Sequence, residues 1–104
     1  MTHRNQRLLL AASVVLALAG TPGCGAYYGI RAFSTESKLE TAQALGAEKY
    51  APYEYFLAKE YLEKAKEEAA TADYGDADHF VDVASDNAEK AIELSRAAHQ
   101  GAGR

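Results

Sequence analysis

The stretch Leu57–Ala98, LAKEYLEKAKEEAATADYGDADHFVDVASDNAEKAIELSRAA, decides the fold. Its alanines keep helical time. Ala58, Ala65 and Ala72 stand seven apart before the turn residues Asp73-Tyr74-Gly75, and Ala77, Ala84, Ala91 and Ala98 stand seven apart after them. Heptad spacing holds a seam against a partner helix, and alanine at the seam lets two backbones come to the close end of the usual 8–10 Å separation. On the first arm Leu57, Ala58, Tyr61, Leu62, Ala65, Ala69 and Ala72 fill one arc. Lys59, Glu60, Glu63, Lys64, Lys66 and Glu67 fill the other. On the second arm Tyr74, Ala77, Phe80, Val81, Ala84, Ala88, Ala91, Ile92 and Ser95 share an inner face, with Asp78, Asp82, Asp86, Glu89 and Glu93 outside. The short link makes this an antiparallel helical hairpin, and Asp73 is the expected N-cap of its second arm.

Upstream, Ala51-Pro52 reads as the end of one helix and the start of the next, because proline restricts the residue before it and suits a first helical turn. Ser37-Lys38-Leu39-Glu40 has the form of a capping box. Leu39, Ala42, Gly46 and Tyr50 then recur at three to four residues, giving a short first helix laid across the hairpin. The expected fold is all-α: a helical domain over residues 37–99, similar to a single tetratricopeptide unit, with a disordered tail over 100–104. No second copy of the hairpin is present for it to stack on.

The N-terminal quarter has a different grammar. His3, Arg4 and Arg7 precede an uncharged run from Leu8 to Ala19, followed by small and turn-forming residues. That is the order of an export signal, expected over residues 1–23. Cys24, the only cysteine of the 104 residues, follows directly, and residues 24–36 read as a flexible tether. Gly23-Cys24 resembles the lipobox of bacterial lipoproteins. There the thiol sulfur takes a diacylglycerol, the chain is cut before the cysteine, and the new amine can be acylated; a soft nucleophile suits that alkylation. Thr21 and Pro22 depart from the usual leucine and small residue of that motif. Two alternatives stand beside it. Cleavage after Ala17-Leu18-Ala19 would release a soluble protein with a free thiol, and retention of the uncharged interval between Arg7 and Arg31 would leave a membrane anchor.

Removal of residues 1–23 leaves nine basic against fifteen acidic residues, a formal charge of −6. Phosphate neutralisation needs clustered Lys and Arg, so nucleic acid is not an expected partner. Catalysis finds no nucleophile, base and orienter to assemble, no cofactor motif occurs, and none of the carboxylates has an apolar pocket to raise its pKa. Asp73, Asp76 and Asp78 with His79 lack the spacing of a calcium loop. His79 and His99 lie too far apart along one helix to share a metal. The residues with most to offer a partner are aromatic: the tyrosines read first as the rim of a thin core, with Tyr50, Tyr53, Tyr55 and Phe56 as the alternative, an interface patch.

The segment Ala42–Ala91 resembles the helical envelope family known as domain of unknown function 4398. Ala51-Pro52, Ala58, Leu62, Ala65, Asp73-Tyr74 and Ala77 carry the likeness; the glycine usual before the Asp is missing, and Gly75 follows the Tyr instead. The resemblance implies a lipoprotein of a Gram-negative envelope, and no activity comes with it. Gly25 is not the Asp that commonly marks inner-membrane retention, so by resemblance the outer membrane, facing the periplasm, is favoured. The expected role is a non-catalytic interaction or envelope-structural module, held to the membrane by lipid on Cys24 and bound to an envelope protein or to a copy of itself. A soluble protein binding a small solute is the competing reading.

Overall fold

The computed structural model of the chain describes residues 2–19 and 23–102, and every element among them is helical. These are α1 (Thr2–Ala19), α2 (Cys24–Ala44), the single turn α3 (Ala47–Tyr50), α4 (Pro52–Ala70) and α5 (Tyr74–Ala102). Thr21 and Pro22 of the expected processing site, and the last two residues of the expected tail, lie outside the described residues.

Helices α4 and α5 form the antiparallel hairpin, and α2 packs along both. The direction of α2 is set by its partners: Arg31 meets Asp78 and Asp82, Lys38 reaches Ser85 and Glu89, and the Leu45 carbonyl meets His99. It therefore runs parallel to α5 and antiparallel to α4, an up-down-up three-helix bundle. Helix α1 packs against none of the other four helices among the described residues. No described helix is long and apolar enough to cross a membrane.

The expected tether is a correction. Residues 24–36 are the first half of α2, and the chain needs no cap at Ser37, which lies mid-helix. Burial is the cause: Ala32 and Thr35 continue the buried face of Leu39 and Ala42 toward the N-terminus, so the packed stripe begins about one and a half turns before the capping-box pattern. The other end of this helix also moves. It stops at Ala44, where Gly46 takes φ 82° and its N–H bonds the Gln43 carbonyl at 2.9 Å. A glycine in the left-handed region just past a helix is its usual stop. Ala51-Pro52 opens α4 as expected but closes only the single turn α3.

The hairpin seam holds from Ala58 to Ala91, while Ala98 is only half-buried and Ala72 falls outside it. Ala58, Ala65, Ala77, Ala84, Ala88 and Ala91 are all fully buried. Ala72 is not on the seam at all: α4 ends at Ala70, and Ala72 sits exposed in the turn at φ 61°. Its N–H bonds the Ala69 carbonyl and that of Asp73 bonds the Glu68 carbonyl, a pairing that suits glycine at this position. Alanine there costs about 1–2 kcal/mol of backbone strain. Asp73 then caps α5 as expected, its Oδ1 accepting the Asp76 N–H at 3.3 Å. The last helix runs on to Ala102, so Gln100, Gly101 and Ala102 are helical where a tail was expected.

Most of the core is small. Among the described residues ten of its fourteen apolar members are alanine, with Leu39, Tyr55, Leu62 and Val81 supplying the bulk. Such a seam has no room to grow. Ala84→Leu is expected to cost about 1–3 kcal/mol through overpacking, whereas Asp86→Leu on the exposed face should change stability by less than about 0.5 kcal/mol. Paired thermal melts read the difference, and equal shifts would displace the seam.

Candidate functional site

The residues singled out in the sequence fall at two ends of the bundle. Gly23 and Cys24 open α2. Gly23 is extended (φ −63°, ψ 157°), and its carbonyl accepts the N–H groups of Ala26 and Tyr27 at 2.9 and 3.4 Å. Cys24 is exposed and unpaired. One residue on, the α4–α5 hairpin turn closes against the helix: a Cβ on Gly25 would stand 3.0 Å from the Tyr74 hydroxyl. Nothing bulkier than glycine fits there without moving that ring. Tyr28 packs on Tyr74 with ring centroids 6.1 Å apart. Its hydroxyl is buried without a hydrogen-bond partner, and burial raises its pKa above the ordinary value.

The aromatic cluster lies at the far end, on the order of 30 Å along α2 from Cys24 at 1.5 Å per residue. It does not form one patch. Tyr53 is 72 % and Phe56 52 % exposed, and with Pro52, Leu57 and Glu60 they line a shallow hollow on α4. Tyr50 is partly exposed but turned toward α5, its ring edge-on to His99 at 5.1 Å. The His99 Nε2–H donates to the Leu45 carbonyl at 2.7 Å and so satisfies a carbonyl at the end of α2. Tyr55 is 3 % exposed and belongs to the core, not to its rim or to an interface. The reason is helical register. Tyr55, Ala58, Leu62 and Ala65 follow at spacings of three and four down the buried face, and Phe56 lies one position off it, edge-on to the Tyr55 ring.

Between the ends, ionic contacts join α2 to its neighbours. Lys66 of α4 bonds Glu36 at 2.7 Å and Glu63 at 3.3 Å, and Arg31 and Lys38 of α2 pair with acids of α5. Asp78, Asp82 and Glu89, expected on an outer face, are thus the acidic side of the α2–α5 contact. Each pair is partly solvated and adds little by itself. Sequence reading missed these pairs because residues 24–36, with Arg31 and Glu36, read as a tether and the first helix as a shorter one laid across the hairpin. A groove between α2 and α4 is lined by Leu39, Tyr55 and Leu62 with Glu36, Lys59 and Lys66 at its rim. The acids at the hairpin turn gather as Glu68, Asp73 and Asp76, with oxygens within 4.8 Å of one another, and His79 lies against Phe80 instead. Capping of α5 by Asp73 accounts for its position.

Three groups titrate upward. Burial raises Tyr28; burial and then the Glu48 carboxylate raise Tyr55; the hydrogen bond to Glu36 raises Lys66. Each holds its proton more tightly folded than unfolded, so each contributes stability below its unfolded pKa, about 10 for both residue types. That contribution is lost as pH rises through the raised folded values. The melting temperature is therefore expected to stay level from neutral pH to about 9.5 and fall above about pH 10, with Tyr55→Phe softening the fall. A decline complete before that window would belong to other groups.

No curated protein and no solved structure matches the chain. A family does: residues 34–102, well over half of the sequence, match the domain of unknown function DUF4398. The match opens within α2 and closes at the last described residue of α5, and so takes in α3, α4 and the hairpin turn whole. By that match the chain belongs to the DUF4398 family.

Proposed function

We propose that this protein is a small envelope lipoprotein, tethered through lipid on Cys24 and acting as a non-catalytic interaction or structural module. The observation that carries the reading is the position of Cys24: exposed, directly after an uncharged export-type run, and at one end of a rigid bundle whose core it does not enter. A tether there leaves the α2, α4 and α5 packing intact and carries the Tyr53–Phe56 surface some 30 Å away along the bundle. That surface is the part of the reading that would meet an envelope partner or a second copy. A location at the outer membrane, facing the periplasm, belongs to the same proposal.

Helix α2 adds a physical argument about the processed end. Cutting before Cys24 removes the Gly23 carbonyl that accepts two N–H groups, and leaves an ammonium at the positive end of the helix. Acylation of that amine removes the charge and supplies a new carbonyl. Full processing therefore restores what the cut takes from the first turn. Fatty-acid labelling and intact mass of the mature chain, wild type against Cys24→Ser, test the proposal.

A further inference from the structure

A solvent-facing helix surface normally carries charge, and in this bundle α4 and α5 comply with Lys59, Glu60, Lys64, Asp86 and Lys90. Helix α2 does not. Opposite its buried residues Ala32, Thr35, Leu39 and Ala42, the outward line is Ala26, Ile30, Phe33, Ser37, Thr41 and Ala44, all exposed and none charged. The apolar members are at the Cys24 end: Ile30 is 71 % exposed and Phe33 74 %, with Tyr27 beside them under the Arg31 guanidinium. Toward the far end the line turns to Ser and Thr. Every acidic residue of the chain lies at Glu36 or beyond.

We propose that the Tyr27–Ile30–Phe33 face of α2 lies on a lipid bilayer surface, so that the bundle rests on the membrane along α2 and does not stand upright on its Cys24 end. This rests on the reading that the N-terminus is membrane-tethered. Three observations select the occupant. First, the face begins one turn after the tether, so lipid is the surface always within its reach, and an interfacial helix needs only a short apolar stripe with aromatic members. Second, an upright bundle would press the acidic hairpin turn of Glu68, Asp73 and Asp76, which shares the Cys24 end, against the headgroups. Lying on the acid-free stripe avoids that. Third, the stripe is too small for a second copy: three side chains of this size expose on the order of 400 Å², against the ~800 Å² per partner of a stable complex.

The chain contains no tryptophan, so Phe33→Trp gives a single reporter. The full chain, extracted from bacterial envelopes in its processed form, is reconstituted into phosphatidylethanolamine–phosphatidylglycerol vesicles with and without brominated acyl chains. With the ring about 5–10 Å into the headgroup boundary, blue-shifted emission and loss of roughly half of it to the brominated lipid are expected. Phe56→Trp in the same vesicles should show neither. Protein that floats with the vesicles while the Phe33→Trp reporter emits as in water, unquenched, would overturn the lying orientation and leave the tether standing. A chain that does not float at all takes both readings down. A blue shift without quenching that disappears on dilution would make the face a contact between copies and overturn the lipid assignment.

Discussion

Replacing Tyr55 by alanine is expected to cost about 3–5 kcal/mol, the range for truncating a buried aromatic side chain, and to leave the domain largely unfolded at growth temperature. The reason lies in how little else fills the core. With ten of the fourteen core positions among the described residues already alanine, Tyr55 is the largest of the four bulky core side chains, and with Leu39 and Leu62 it lines the groove between α2 and α4. Removing it opens a void that backbones held apart elsewhere by Ala–Ala contacts cannot close. Phe56→Ala removes a side chain of similar size one residue away. That ring is half in solvent and loses mainly its edge-on contact with Tyr55 at 5.2 Å, so about 0.5–1.5 kcal/mol is expected. Tyr55→Phe keeps the volume and gives up only the hydroxyl, which feels the Glu48 carboxylate, so on the order of 1 kcal/mol is expected. Urea unfolding followed by circular dichroism ranks the three. If Tyr55 and Phe56 truncations cost the same, the register of α4 is wrong by one position.

That contrast also shows where sequence pattern was enough and where it was not. Heptad alanines are a strong signal because helix period and seam geometry demand the same residues, and Ala58, Ala65, Ala84 and Ala91 sit where the pattern put them. Asp73 as a cap was legible for a similar reason: an acceptor before a helix has a local job. Tyr55 was misplaced because amphipathic side chains suit both rim and core, and only the register with Ala58 and Leu62 separates them. The start of α2 was misread because Gly25, Gly29 and two adjacent tyrosines look like a linker by composition, while tertiary burial of Tyr28, Ala32 and Thr35 overrides weak propensity. Gly46 carried a usable sign. A glycine between Leu45 and Ala47 in an alanine-rich helix is a stop before it is a face residue, and its φ of 82° bears that out. The candidate site was legible only in part: Cys24 from its context, Tyr53 and Phe56 from their chemistry, and the outward stripe of α2 not at all, because its helix had been taken for a tether.

Cys24→Ser is expected to abolish fatty-acid labelling and to leave the precursor uncut, so that no chain with the mature mass accumulates. A hydroxyl replaces the sulfur without changing size, but it lacks the soft nucleophile that the lipobox resemblance requires. The bundle itself should be indifferent, because residue 24 is exposed and outside the core; helical circular dichroism and the melting point of the domain should match wild type within about 0.5 kcal/mol. Fractionation alone is a weak witness here, since an uncut apolar run also holds a chain to membranes. Washing adds some weight: a wild type with more than one acyl chain stays with membranes through high salt, each buried CH₂ contributing about 0.8 kcal/mol. Mass is decisive. A wild-type chain beginning at Cys24 and carrying added acyl mass supports the tether. One beginning at Gly20 with a free thiol makes the protein soluble, one retaining Met1 makes the N-terminal run an anchor, and either result removes lipid from Cys24. Under the anchor result the α2 stripe would still lie beside the bilayer, whereas under the soluble result nothing would hold it there.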